Sequence, residues 1–507
     1  LEEEAKPWLE ANGKPEIQKS KPKLYEVGSS RISVVYKSTT QEEPPSLPQI
    51  FAAVSAGSFH IVVGFSLAFS ATLIPQLEAP DNDVNIESIE MPWLASVLVL
   101  FVPVGAMMAG FIMEYLGRLN TIKIASIPCL LGFLQEYQQV WEQVQPLYTS
   151  QKVAKPELRG ALIATSPTLA SLEIHSRGAY LHWRTAAWTS IIYVVLPLLL
   201  ISIWIPESPV WLVARGRVDE AEKSLKWLCG QRVSLRGGER GENTIPEQQL
   251  AALVKSQDMK ALVVTGFWGR MSGFARPTGF KPLLVLFGLF FFQQFSGIYA
   301  TLFYSVELFK DVGSDLDPSM ATILVGLMRL IMSFFNTALL RRFGRRPLCM
   351  LSGCGMALCM IVSGFGTMHI YGGGEGLGWL PVVCVLLYVC SSMIGLLSIP
   401  WTMTAELFPT EIRGLAHGIT ISLAHILMFL SIQSYRGLRD MLGGPHAIQW
   451  FYAAMALGGV IFVAVFLPET HGKKLIEIEQ YFRTNITYIG QKKPPVERTE
   501  NGAPPTG

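Results

Sequence analysis

Nine mostly apolar stretches of about 20 residues, at 49–74, 93–115, 185–204, 283–306, 320–340, 347–370, 378–402, 415–434 and 449–468, dominate this sequence, and each is about what a helix needs to cross roughly 30 Å of hydrocarbon. A weaker tenth lies at 160–182. The pattern predicts an all-α membrane protein, because a spanning segment must satisfy its own backbone groups where no water is at hand. Composition agrees: half of the 507 residues are hydrophobic and only 16% are charged, more apolar matter than a soluble core of this length requires. The net charge of +2 is the remainder of 41 basic and 39 acidic residues, which leaves no basic surplus for nucleic acid. Cys349, Cys354, Cys359, Cys384 and Cys390 fall inside apolar runs and read as small packing residues, not as disulfides or metal ligands. The first residue is Leu1, and the opening stretch is polar, with no apolar core of a secretion signal.

Charge orders the connections. Arg118 and Lys123, then Lys152, Lys155 and Arg159, the loop 205–280, Arg341, Arg342, Arg345 and Arg346, Arg413, and Lys473 with Lys474 fall in alternate connections. Glu78, Asp81, Asp83, Glu87 and Glu90, and later Glu307, Asp311, Asp315 and Asp317, occupy opposite ones. Basic residues stay on the cytosolic side of a membrane, so both termini are predicted to be cytosolic. The chain divides into a tail at 1–47, an N-terminal helix bundle at 48–204 that is incomplete near 134–180, a cytosolic loop at 205–280, a six-helix bundle at 281–470 and a second tail at 471–507. Within the loop, GRVDEAEKSLKWL has helical spacing, with Glu220 and Lys223 three apart on one face.

The two sets of runs share a phrase. EYLGRLNTIK at 114–123 and RRFGRRPL at 341–348 each close the second apolar segment of a half, which indicates internal duplication. A Gly-Arg turn lets two helices approach, and its guanidinium can bond the last carbonyls of a neighbouring helix. The bland reading is a basic cluster that only holds the loop inside.

PESPVWL at 206–212, FLPETHGKKLIEIE at 466–479, IPWTMTAELFPTEIRG at 399–414 and QQFSGIYATLFYS at 293–305 resemble, in order, motifs of the sugar porters of the major facilitator superfamily. The wording SIPWTMTAELFPTEIRG is nearest to the insect facilitated trehalose transporter-like group. The resemblance covers roughly 48–480, with a gap near 130–185. It implies a two-bundle fold on a 12-helix template, of which about 10 or 11 spans have room here, and facilitated passage of a hexose or trehalose.

Glu207, Glu406 and Glu469 stand near the cytosolic ends of apolar segments, beside Arg159, Arg413 or the arginines at 341–346. With Arg118, Arg345 and Arg346 they form a candidate gate, a lattice of ion pairs that closes one side during alternating access. Solvated helix-end charges are the alternative. A sugar needs neutral hydrogen-bonding groups and a flat apolar surface. On an ideal helix Gln293, Gly297, Ala300 and Tyr304 share one face, with Gln294, Ile298, Thr301 and Ser305 beside them. The resemblance assigns this segment to substrate, which makes Gln293, Gln294 and Tyr299 candidate ligands and Trp401 the stacking surface. Amides that merely glue helices together are the competing reading. Gly395 and Pro400 loosen the backbone near Trp401.

Four positions depart from the family pattern. Tyr299 replaces an asparagine, Arg329 interrupts segment 320–340, His425 stands near where an amide or tryptophan is usual, and Arg341 takes the place of an aspartate. A lone His such as His425 is more often a bond between helices than a ligand. The run 49–74 holds no Asp or Glu, only His60, so no carboxylate is there to couple protons and uniport without a cofactor is expected. No Walker loop, zinc spacing or nucleophile elbow appears, so an enzyme is not expected. The partners implied are a small sugar and the lipid bilayer, with the plasma membrane as the expected location. The apolar stretch Thr121 to Phe133 is only about 13 residues long and meets LQEYQQVWEQVQP, so alone it cannot cross the bilayer. Only 41 positions separate Gly117 from Arg159, too few for two spans, and the fourth helix of the template has no room. An incomplete, poorly transporting bundle or a non-transporting sugar receptor is the alternative expectation.

Overall fold

The computed structural model describes residues 47–58, 90–135, 183–229, 271–312, 318–374, 378–409, 412–473 and 475–488, with short pieces at 73–74, 249–251 and 253–254. Among these, every regular element is helical. In chain order they are α1 (Leu47–Gly57), α2 (Met91–Leu116), α3 (Arg118–Gln135), α4 (Trp183–Trp204), α5 (Pro209–Ala214), α6 (Val218–Leu228), α7 (Pro277–Phe295), α8 (Ala300–Phe303), α9 (Ser305–Asp311), α10 (Pro318–Arg342), α11 (Arg345–Tyr371), α12 (Trp379–Ile394), α13 (Ile399–Glu406), α14 (Arg413–Gln433), α15 (Tyr435–Leu442), α16 (Pro445–Phe466) and α17 (Leu475–Thr484).

Seven described segments are long and apolar enough to cross a membrane: Met91–Ala109, Pro277–Phe303, Ile323–Arg342, Arg345–Tyr371, Trp379–Glu406, Arg413–Gln433 and Pro445–Phe466. Six of them follow one another in the C-terminal half. The 18-residue α3 contains the short stretch from Thr121 to Phe133. The interval after Gln135 in which the fourth helix is expected to lack room, the weak run at 160–182, and residues 59–72 of the run 49–74 lie outside the described residues.

The outer faces of these helices are apolar. Phe334, Phe335, Leu351, Leu358, Phe365 and Ile461 are exposed along their lengths, as side chains must be where the surrounding medium is hydrocarbon. Exposed Trp93, Tyr371 and Trp379 sit at one common end of α2, α11 and α12, where amphipathic rings favour the boundary between lipid and water. Hydrophobicity gives lipid-embedded helices no reason to associate, so close fit must do so. The 27-residue α11 packs most extensively along α16 and α12; Gly353 lets α16 approach until an added methyl would stand 2.5 Å from Val460. Across the halves, α2 lies along α14, and Ser96 donates a hydrogen bond of 2.7 Å to Gln433 Oε1.

Two spans are broken in their middles. The first stops at Phe295 and resumes at Ala300, and the second stops at Ile394 and resumes at Ile399. At the first break Gly297 holds φ +85° with the Tyr452 ring where a side chain would start, 2.5 Å away. The faces of one ideal helix therefore do not continue from Gln293 to Tyr304. In the loop, α6 forms where GRVDEAEKSLKWL predicts a helix. Its ion pairs are Arg217 with Glu220 at 2.6 Å and Glu222 with Lys226, not Glu220 with Lys223, and Ala221, Leu225 and Leu228 are buried beneath it.

Gly297→Ala is expected to cost about 1–3 kcal/mol, since the methyl combines a disfavoured φ with a clash against a buried ring. A lower midpoint of thermal unfolding in detergent checks it; an unchanged midpoint would show that the break relaxes freely.

Candidate functional site

The candidate site lies where the two breaks face each other. Gln293 and Gln294 close α7, both fully buried. Gln293 Nε2 donates to the carbonyls of Leu396 and Leu397, at 2.8 Å each; both carbonyls were freed by the break between α12 and α13. In the other direction, the Tyr388 hydroxyl of α12 donates to the Ser296 carbonyl at 2.7 Å, inside the break after α7. Each broken helix thus satisfies the other's loose carbonyls, which hydrocarbon would leave unmet at several kcal/mol apiece.

The amides differ in what they have left to offer. Gln293 also receives Gln294 Nε2 on its Oε1, at 3.3 Å, so its polar atoms are engaged. Gln294 Oε1 is buried without a hydrogen-bond partner, a spare acceptor for a hydroxyl. Tyr299 is buried, and the Trp401 indole lies within polar reach of its hydroxyl. Trp401 is only partly buried. Phe290 meets its ring edge-on with centroids 4.9 Å apart, and His425 stands at 5.5 Å. His425 itself places Nδ1 2.8 Å from the Ile421 carbonyl of its own helix. Arg329, on α10, has Tyr299 and Tyr388 as electrostatic neighbours and a buried Nε with no hydrogen-bond partner. Sequence reasoning named Gln293, Gln294, Tyr299 and Trp401, which the fold brings together. It missed Tyr388, whose only signal is a phenol in an apolar run. An open hollow of about 430 Å³ lined by Phe365, Met368 and His369 lies elsewhere and involves none of these residues.

The arginine-rich end holds the candidate gate, built twice. Glu207 accepts the backbone N–H of Arg118 at 3.0 Å and of Leu119 at 3.1 Å, and so caps the N-terminus of α3. Glu469 accepts those of Arg345 at 2.9 Å and Arg346 at 3.1 Å, and so caps α11. Each carboxylate sits against the glycine before its helix: an added methyl would lie 2.7 Å from Glu207 at Gly117 and 2.3 Å from Glu469 at Gly344. Unpaired N–H groups and the positive dipole end make a helix N-terminus a natural seat for a carboxylate. Two of the three glutamates are therefore held by amides, where sequence reasoning paired them with guanidiniums. The third, Glu406, does pair with Arg345 at 3.1 Å and accepts Thr470 Oγ1 at 2.6 Å. Arg118 donates to Ser208 Oγ at 2.8 Å. Arg346 bonds the Ala464 carbonyl in the last turn of α16, and Arg413 the Phe408 carbonyl at 3.2 Å. Arg159 lies outside the described residues. At the opposite end, Arg436 and Arg439 of α15 hold Glu307 of α9 at 2.8 and 3.0 Å, and Arg439 also holds Asp311 at 2.6 Å.

Comparisons with known proteins fall on this architecture. The family described as "Sugar (and other) transporter" matches residues 142–482. A protein of Drosophila sechellia described as a facilitated trehalose transporter Tret1-2 homolog is 32% identical over 479 residues, 88% of this chain and 93% of that one. The facilitated trehalose transporter Tret1 of Polypedilum vanderplanki is 30% identical over 456 residues, 85% of this chain and 87% of that one. Among solved structures, the inward open xylose transporter XylE from E. coli aligns with a TM-score of 0.64 at 20% identity, over 85% of this chain and 99% of that one. The proton:xylose symporter XylE bound to 6-bromo-6-deoxy-D-glucose gives 0.62 at 21%, over 85% and 98%. This chain belongs to the sugar transporter family of the major facilitator superfamily and is a multi-pass membrane protein.

The caps give a pH test. Burial pushes the Glu469 carboxyl up, but N–H groups of His471, Arg345, Arg346 and Thr470 pull it further down, below its ordinary 4.5. Its stabilising effect is therefore present above pH 4.5 and lost as pH falls through the lower folded value. Glu469→Gln is expected to unfold at a lower temperature than wild type at pH 7, with a difference that shrinks on acidification to about pH 3. A difference constant with pH would show that the charge is not what the site uses.

Proposed function

We propose that this protein carries a neutral hexose or trehalose down its gradient by alternating access, as a uniporter, with both termini in the cytosol and the plasma membrane as its place. The observation that carries the reading is the junction of two broken helices, where the buried Gln294 Oε1 has no hydrogen-bond partner and Tyr299 and the flat Trp401 ring stand within polar reach of each other. Facilitated trehalose transport by the relatives supports it. The absence of Asp and Glu from 49–74 supports uniport. Glu207, Glu406 and Glu469, with Arg118, Arg159, Arg345, Arg346 and Arg413, form the gate. The carboxylates seat helix ends at the arginine-rich face, and the Arg345–Glu406 pair is the contact that parts when the cavity opens inward.

A second reading, sugar binding without transport, is favoured by the polar stretch from Leu134 to Lys155, which holds Glu136, Glu142, Lys152 and Lys155 where a spanning helix is needed. Proteoliposomes containing the chain separate the two. A transporter takes up radiolabelled glucose or trehalose saturably, whereas a receptor shows equilibrium binding only.

Gln294→Ala and Trp401→Ala are expected to weaken sugar binding by about 1–3 kcal/mol each, the cost of leaving a buried partner unpaired, with the folded protein retained. Gln293→Ala is expected to lower thermal stability as well, since it also strips two carbonyls of their donor. Unchanged sugar affinity in the Gln294 and Trp401 variants would remove this junction from the site. Uptake is expected to ignore protonophores between about pH 6 and 8, since the run 49–74 holds no carboxylate to couple protons; accumulation driven by a proton gradient would refute uniport.

A further inference from the structure

The six C-terminal runs from 283–306 to 449–468 contain one Asp, Glu, Lys or Arg side chain between them, Arg329. It stands on the inward stripe of α10, in helical step with buried Val325, Ser333 and Asn336, so it points away from lipid. Its electrostatic neighbours are the phenols Tyr299 and Tyr388, and its Nε is buried with no hydrogen-bond partner. Four described carboxylates of this half are committed at its two ends: Glu307 and Asp311 to Arg436 and Arg439, Glu406 to Arg345, and Glu469 to backbone N–H groups. A guanidinium at mid-membrane depth is expensive without a counter-charge. A neutral sugar offers none, and hydroxyls do not need a full cation to hold them.

We propose that Arg329 makes this junction a site for a carboxylate-bearing sugar, a hexuronate, with the guanidinium holding the sugar's carboxylate and the spare Gln294 Oε1 accepting from a ring hydroxyl. The proposal rests on the sugar-binding reading above and changes its substrate class. A planar guanidinium binds a carboxylate through two parallel N–H bonds, and Tyr299 carries the polar lining from Arg329 to Trp401. The ring stacks on Trp401 while its carboxylate points to α10. No proton or electron is exchanged.

The test uses the full chain in nanodiscs at pH 7, with D-glucuronate, D-glucose and trehalose as probes, each with and without chloride. Glucuronate is expected to bind at least about 10-fold more tightly than glucose in the wild type. Arg329→Gln is expected to bring the ratio of the two affinities near one, and Arg329→Lys to leave an intermediate ratio, because an ammonium lacks the fork. Equal or weaker binding of glucuronate overturns the proposal and leaves neutral-sugar binding standing, as does neutral-sugar binding that requires chloride, which would make a free anion the counter-charge. If no sugar binds at all, both readings fall. Should Arg329→Gln not fold, the wild-type ratio alone decides.

Discussion

The exchange of hydrogen bonds between two broken helices is what the rest of the site depends on. Gln293 reaches from the end of α7 to the carbonyls of Leu396 and Leu397, and Tyr388 reaches from α12 to the carbonyl of Ser296. A lone break in a lipid-embedded helix exposes backbone groups to a medium that cannot solvate them. Two breaks brought face to face remove that cost for each other. They also place irregular backbone, amides and an aromatic ring at one depth, which is the raw material of a polar cavity inside an apolar bundle. The pairing also ties the end of α7 to the break before α13.

At the arginine-rich end a second economy operates, and it is duplicated. Glu207 and Glu469 each come from the chain that follows the last span of a half and seat themselves at the start of the third helix in that half. The glycine before each helix is the consequence of this seat, for the carboxylate takes the space of a side chain. The repeated Gly-Arg phrase and the repeated Pro-Glu phrase are therefore two ends of one contact. A salt-bridge lattice drawn from charge proximity alone understates the backbone's part: amides hold Glu207 and Glu469, Arg346 and Arg413 reach carbonyls, and Arg345 pairs with Glu406.

Much of this was legible in the sequence. The run 93–115 and the six from 283–306 onward located the seven spans among the described residues, because hydrophobic length is the one demand a bilayer cannot relax. The alternation of Arg-rich and acidic connections placed Glu307 and Asp311 at one end and Arg345 and Arg413 at the other. Gln293, Gln294 and Trp401 stand out in the sequence because amides and a proline-flanked tryptophan are conspicuous in apolar runs, and with Tyr299 they gather at the junction proposed as the site. What stayed hidden depends on tertiary placement. The break at Ser296 and Gly297 is invisible to an ideal helical wheel, so the face assigned to Gln293 did not carry through to Tyr304. Tyr388 looks like one more aromatic packing residue until the carbonyl it serves is known. The role of Gln293 was divided between ligand and glue, and its two bonds to the facing break show the glue; Gln294 keeps the free acceptor.

The length of α11 has a further consequence. Its 27 residues make a rod of roughly 40 Å at 1.5 Å per residue, about the thickness of a bilayer with its headgroup layers, so Arg345 and Arg346 at one end and Tyr371 at the other reach the polar boundary. Since α11 is clamped along α16 and α12 and pinned at one end by Glu469, it has little freedom to shorten by kinking. A bilayer much thinner than this rod is long can be met only by leaning the rod or by deforming the lipid, at a fraction of a kcal/mol per ångström, because its long contacts with α16 and α12 hold it straight.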